Sequence, residues 1–246
     1  MIDRGARPAT LARKITSLRR FFGFLVERGM SSHDPAKGIS APRLVRYHPD
    51  YLSTHDIEAI LKAAAENPKT GLRDCAILEL LYGSGLRLSE LIHLRLADIE
   101  FAAGFIRVTG KGNKQRLVPL GEYAKAALER YLRSQDARPA AQHTDLVFVG
   151  RQGRPFSRAG IWKLIKRIVN RAGVTRHVSP HTFRHSFATH LLEGGADLRV
   201  VQEMLGHADI STTEVYTQID RDYIRAEHRK YHPRELAGFK QADSDT

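Results

Sequence analysis

Ser179–Gly195, SPHTFRHSFATHLLEGG, is the most informative stretch of the chain. Ser179 suits a helix N-cap, where its hydroxyl can accept from a free backbone N–H, and Pro180 suits the first helical position. His181 and Arg184 stand three apart, so a helix starting here puts both on one face of its first turns. That end of a helix favours anions through its unpaired amides and its dipole. Two hydrogen-bonding or cationic side chains at that place form a phosphate clamp. Alone, His-x-x-Arg fits any exposed helix turn, so its meaning depends on the rest of the chain. A zinc reading of His181 and His185, four apart, fails on the residue between them. A metalloprotease helix needs Glu at the second position of the pattern, and Thr182 stands there. No metal site is expected.

Downstream, Asp197 starts a helix that Gly206 ends, which puts His207 at the start of a loop. Ser211-Thr212-Thr213-Glu214 has capping-box spacing, so Tyr216 falls in the first turns of a short helix. Upstream, Ser157 caps a helix whose core stripe is Ile161, Leu164, Ile165, Ile168 and Val169, with Gly173 as its stop. Its other face carries Lys163, Lys166, Arg167 and Arg171. Phe105–Val108 and Arg116–Val118 read as two strands joined by TGKGNKQ, a turn that delivers Lys111. Asp145–Val149 reads as a further short strand. In GSGLRLSEL, Gly83 and Gly85 allow a sharp turn after a helix from about Leu72 to Tyr82. Arg87 then precedes a helix that begins near Leu88, and its guanidinium fork matches a phosphate. Another helix begins at Ser53 or Thr54 and includes Leu61.

The N-terminal part is sparser. Leu11, Ile15, Leu18, Phe22 and Leu25 recur at the helical period among Arg13, Lys14, Arg19 and Arg20, and Gly29 ends the run. Lys37–Pro49, divided by Gly38, Pro42 and Pro49, reads as a linker. Residues 1–48 therefore form an appended helical piece with its linker, and 49–246 the main domain. The fold class is α+β, mainly α with a small antiparallel sheet.

The composition narrows the function classes. The chain has 246 residues, 42% of them hydrophobic, and a formal net charge of +12. That charge calls for a polyanionic partner, nucleic acid or an anionic surface. No apolar run is long enough to span a bilayer, and the N-terminus lacks the apolar stretch of a secretory signal. Cys75, the only cysteine, lies in an apolar run and suits a buried thiol in a reducing cytoplasm.

Arg87, Lys111, His181, Arg184, His207 and Tyr216 together are what phosphodiester cleavage by a phenol requires. The phosphorane-like transition state gathers negative charge on its non-bridging oxygens. Arg87 and Arg184 can neutralise it, while His181 and His207 donate hydrogen bonds or move protons. Presenting the Tyr216 phenolate at neutral pH costs about 4 kcal/mol, from a reference pKa near 10, and a cationic cluster lowers that cost. Lys111 is the mobile group that can protonate the departing deoxyribose oxygen. Arginines stand where a two-metal site would hold its ions, so no cofactor is called for.

The six residues and their flanks resemble the tyrosine recombinase family. GLRLSEL, TGKGNKQRLVPLGE, the run from Ser179 to Ile219 and the tail HPRELAG are similar to the bacterial Xer recombinases, of the XerC or the XerD branch, and the QID…HRKYHPRE tail leans towards the XerD branch. The resemblance runs from about Tyr51 to Pro233. The family's Arg, Lys, His-x-x-Arg, His, Tyr pattern falls on Arg87, Lys111, His181 with Arg184, His207 and Tyr216 without substitution.

It implies a tyrosine recombinase catalytic-domain fold and strand exchange through a 3′-phosphotyrosyl intermediate that stores the bond energy. It implies double-stranded DNA with a dif-like site as substrate and chromosome-dimer resolution as the task. It also implies assembly with a second Xer recombinase in a heterotetramer, or with itself in a homotetramer, and the FtsK translocase as trigger. Asp220–Pro233 resembles the C-terminal helix that docks into a neighbouring protomer. The family's N-terminal core-binding domain is matched only by its last part, so the chain reads as N-terminally truncated, and Phe21, Phe22 and Leu25 would then form an exposed patch. The alternatives are an integrase of a phage or mobile element, and a truncated DNA-binding protein with little turnover.

Overall fold

The computed structural model describes residues 8–42, 51–110, 115–134, 144–150, 154–206 and 218–236. By its internal contacts the chain divides into two units, Met1–His48 and Pro49–Thr246. Among its described residues the first unit carries one helix, α1 (Pro8–Glu27). Gly29, at φ 67°, ends it by turning its N–H back to the Val26 carbonyl, and Met30 bonds the Leu25 carbonyl, the usual left-handed helix stop. Asp34 orders the following turn by accepting from the Ala36 N–H, and Arg19 holds it by donating to the Ile39 carbonyl at 2.6 Å. Of the expected stripe, Ile15 is buried and Phe22 and Leu25 are half-buried, but Leu11 and Leu18 are exposed, as are Phe21 and Phe24. One helix and one loop have too little surface to cover them all. The linker beyond Pro42 lies outside the described residues.

The second unit is built around α3 (Gly71–Gly83), in which Ala76, Ile77, Leu78, Leu80, Leu81 and Tyr82 are all fully buried. A helix buried on nearly every side, with its two buried carboxylates Asp74 and Glu79 each ion-paired, lies inside its domain. Against it pack α2 (Thr54–Ala65), α5 (Glu122–Arg133) and α7 (Pro180–Gly194). Ser53 caps α2 in a reciprocal box with Asp56. The buried face of α2 is Ile57, Ile60, Ala63 and Ala64, with Leu61 half-buried at its flank. Ser179 caps α7 and Pro180 opens it, as the sequence predicts. Ser157 caps α6 (Arg158–Arg171), whose five stripe residues are all buried, and Gly173 follows at φ 70°. Asp197 caps α8 (Leu198–Leu205), which Gly206 closes at φ 64°. The helix expected at Leu88 is short, α4 (Leu88–Ile92).

The sheet has three antiparallel strands in sequence order, β1 (Ile99–Glu100), β2 (Phe105–Thr109) and β3 (Gln115–Pro119). β2 and β3 are the expected pair, with Ile106 opposite Val118 and Val108 opposite Arg116. β1 is an addition to the sequence reading. Asp145–Val149 corrects it: among the described residues the segment makes isolated bridges from Leu146 to Arg95 and from Val149 to Pro155 and joins no sheet. The chain bends at Val147 and Phe148, which breaks the ladder and lets Phe148 stack on Tyr131 at 5.4 Å. Cys75 is half-buried rather than buried, with its thiol 3.6 Å from the Leu61 carbonyl. Among the described residues no helix is long and apolar enough to cross a membrane.

The last α-helix among the described residues, α9 (Gln218–Tyr231), lies on its own unit in this single chain. Ile224, His228 and His232 are buried, and Gly194 meets the Tyr231 backbone so closely that a Cβ would stand 2.6 Å from its carbonyl oxygen. The class is α+β, mainly helical, as expected.

Candidate functional site

Arg87 sits at the turn between α3 and α4, where Gly85 adopts φ 58° and its missing side chain leaves room for Phe187. The backbone N–H of Arg87 donates to Glu90 Oε2 at 2.8 Å and its Nη1 to Glu90 Oε1 at 3.0 Å. Its Nη2 donates to the Gly206 carbonyl at 2.7 Å. Arg184, on α7, donates from Nη1 to the Gly85 carbonyl and from Nη2 to the Leu205 carbonyl. Both arginines are thus held on the C-terminal end of α8, whose carbonyls carry the negative pole of the helix. Those bonds occupy only part of the five N–H donors each guanidinium owns, and the Arg87 side chain is 35% exposed. Further donors of Arg87 therefore face solvent, where an anion can reach them.

The electrostatics favour an anion. Around the single carboxylate of Glu90 gather Arg87, Arg116 and, nearby, Arg184, so positive charge is in excess. Burial, with the Arg87 and Arg116 charges beside it, lowers the Arg184 pKa to about 9, still above neutral pH, so the guanidinium keeps its charge. Burial pushes the Glu90 carboxyl up, but the Arg116 and Arg87 bonds outweigh it and hold its pKa below the usual value. His181 lies in the first turn of α7 with its side chain exposed, three residues before Arg184. Beside the cluster a cleft of about 400 Å³ opens between α4 and β2, lined by Glu90, His93, Arg95, Arg107 and Thr109.

Of the six residues read from the sequence, the structure thus places Arg87 and Arg184 together and His181 on the same helix as Arg184. Lys111, His207 and Tyr216 lie outside the described residues, as does the cap at Ser211. Lys111 falls in the connection between β2 and β3, and His207 directly follows Gly206 in the chain. Two residues of the cluster are additions to the sequence reading, Glu90 and Arg116. Glu90 stands three after Arg87, one helical turn on, a spacing that could have marked it as a partner.

The phage integrase family matches residues 50–222 of the chain. The chain belongs to this family and is a tyrosine recombinase, a site-specific DNA recombinase. It is 46% identical over 236 residues to the tyrosine recombinase XerD of Oceanobacillus iheyensis, covering 94% of this chain and 78% of that one. It is 44% identical over 234 residues to the XerD of Listeria innocua, with the same coverage. Among solved structures it is similar to the XerH site-specific recombinase bound to palindromic difH substrate in a post-cleavage complex. That match has a TM-score of 0.71 and 26% identity, covering 92% of this chain and 68% of that one.

Proposed function

We propose that this chain cuts and rejoins double-stranded DNA at a dif-like site, with Tyr216 as nucleophile and Arg87, Lys111, His181, Arg184 and His207 as the groups that make attack possible. The observation that carries this reading is the convergence of Arg87 and Arg184 on the end of α8, one residue before His207. Two guanidiniums held at one place by fixed carbonyls are preorganised for the two non-bridging oxygens of a phosphate, so little reorganisation is needed at the transition state. His181 and His207 add donors to the same oxygens. Tyr216 attacks phosphorus as its phenolic proton passes to a histidine of the site, the 5′-oxygen leaves with a proton from Lys111, and the 3′-phosphotyrosyl bond keeps the energy for rejoining. The 5′-hydroxyl of a partner duplex then attacks that bond and releases the tyrosine.

The name of the relatives, and the difH substrate of XerH, support chromosome-dimer resolution as the task. Exchange between two duplexes needs a tetramer, with a second Xer recombinase or with copies of this chain, in which α9 would dock into a neighbour. FtsK is the expected trigger, and the cytoplasm the expected compartment. Incubation with a nicked suicide duplex carrying a dif sequence tests the reading. Wild-type protein should form a covalent adduct with DNA and Tyr216→Phe none; equal adduct from the two would overturn it.

A further inference from the structure

Arg116 is a charged residue on the inner side of the sheet, only 6% exposed. On β3 it stands opposite Val108 and on the same face as Val118, both buried. Its Nη1 and Nη2 donate to Glu90 Oε1 and Oε2 at 2.7 and 2.9 Å, a two-pronged pair. Its Nε donates to the Met204 carbonyl at 2.8 Å. Its stem fills the space beside Gly206, where a Cβ would lie 2.8 Å from Arg116 Cδ.

Each of these contacts leads to something that holds the site. Glu90 fixes Arg87 through both its backbone N–H and its Nη1. The α8 carbonyls after Met204 receive Arg184 and Arg87. Three successive carbonyls, Met204, Leu205 and Gly206, thus accept from three arginines, and only Arg116 has its side chain almost wholly buried. A side chain so enclosed has little surface with which to touch DNA, so its work must pass through its neighbours. A lysine could not do the same, since one ammonium lacks the planar fork that spans a carboxylate and a carbonyl at once.

We propose that Arg116 is a positioning residue for DNA cleavage, locking Glu90 and the end of α8 so that Arg87 and Arg184 meet the scissile phosphate in register. This rests on the reading above that Arg87 belongs to the cleavage site. It acts chiefly through Glu90.

The test uses the full chain, the nicked dif duplex, single-turnover adduct formation and gel-shift affinity. Arg116→Met should slow adduct formation about 100-fold, as loss of preorganisation does, while DNA affinity stays within about threefold because no phosphate contact is removed. The acid limb of its pH profile should move to higher pH, since Glu90 loses the partner that keeps it ionised. Arg116→Lys should recover part of the rate and part of that shift. Wild-type cleavage with an unmoved pH profile in Arg116→Met would overturn the proposal, as would cleavage and affinity falling in equal proportion.

Should Arg116→Met fail to fold, the neutral pair Glu90→Gln with Arg116→Met carries the test, because it leaves no unpaired buried charge. Acting through one network, the pair should cleave as slowly as Glu90→Gln alone. A wild-type rate, or a rate more than about tenfold below Glu90→Gln alone, would overturn the proposal. Tyr216→Phe in parallel separates the two readings. If it forms adduct, the catalytic assignment fails; if it forms none while Arg116→Met cleaves normally, only the role of Arg116 fails.

Discussion

The ring of Phe187 occupies the space a side chain on Gly85 would need: a Cβ there would stand 2.5 Å from Phe187 Cδ1. Gly85 also adopts φ 58°, and its carbonyl accepts from Arg184 while Arg87 follows two residues on. One glycine therefore sets the turn, the packing of α7 against α3 and the spacing of two arginines.

Gly85→Ala should accordingly cost about 3 kcal/mol, from left-handed backbone strain and overpacking together. A shift of the urea midpoint at unchanged slope measures it. Adduct formation should fall at temperatures where the variant is still folded, because Phe187 cannot yield without moving α7. A variant as stable as wild type would mean that neither the left-handed backbone nor the Phe187 contact carries a cost at this position.

Arg87→Ala and Arg184→Ala should each lower the single-turnover cleavage rate by about 100-fold to 1,000-fold, the usual cost of removing one transition-state donor. The double variant should fall well short of the product of the two, since both arginines hold the same end of α8 and so act as a unit. Rates from quenched time courses at saturating DNA decide this. Fully multiplicative losses would mean that each arginine works alone.

Glu79 on α3 is buried and ion-paired with Arg234, which follows α9 and also covers the ring of Tyr123 at 3.9 Å. Burial pushes the Glu79 pKa up although Arg234 pulls it down. Arg234→Ala would strand that carboxylate and should cost about 3 kcal/mol, whereas Glu79→Gln with Arg234→Met should cost less, as both charges leave together. Chemical denaturation of the two variants checks the order. If the single substitution proves the milder, the pair contributes little to holding the C-terminal segment.

Much of this arrangement is legible in the residues, and the exceptions have physical reasons. The helix α6 announces itself through five large apolar residues from Ile161 to Val169, and α7 through Ser179 and Pro180. The helix α5 escapes because two of its four buried positions are Ala124 and Ala127, too small to stand out in a hydrophobic pattern. The strand β1 has two residues and exists only by pairing with β2, a partner that local sequence does not reveal. Asp145–Val149 has strand composition, yet its bend directs Phe148 to Tyr131 instead. In the site, Arg87 and Arg184 stand out by motif, but Arg116 does not. Alternation does not decide whether the arginine in NKQRLVP faces water or core, because β3 is buried on both faces from Arg116 to Pro119. The groups that meet it, Glu90 and the Met204 carbonyl, come from other elements. Glu90 looks like any acidic residue in the first turn of a helix until Arg116 is seen to meet it from another element.

His228 and His232 stack at 4.9 Å and 12° where the C-terminal segment meets the core, surrounded by Phe187, Tyr82 and His190. The Nε2 of His228 bonds the Gly83 carbonyl at 2.8 Å, and Tyr82 bonds His190. Burial holds the His228 pKa down at about 4, the Gly83 bond opposing it, and burial with the charges of His228, His190 and Arg234 drives His232 well below its usual value. In the unfolded chain these imidazoles titrate near 6.5. Between about 6.5 and 4 the unfolded state therefore binds more protons, so this contribution is whole above 6.5 and is lost as the pH falls. Glu235, raised to about 7 by burial beside Gly121, and Glu79 work in the opposite sense, so the wild-type curve alone does not isolate the histidines. His228→Gln, which keeps a donor for Gly83, removes one of them. From pH 7.5 to pH 5 the wild type should lose about 2 kcal/mol more stability than this variant, the value for one imidazole shifted from 6.5 to about 4. Urea midpoints at the two pH values measure the difference, and parallel losses in the two proteins would show that His228 becomes charged as easily in the fold as in water.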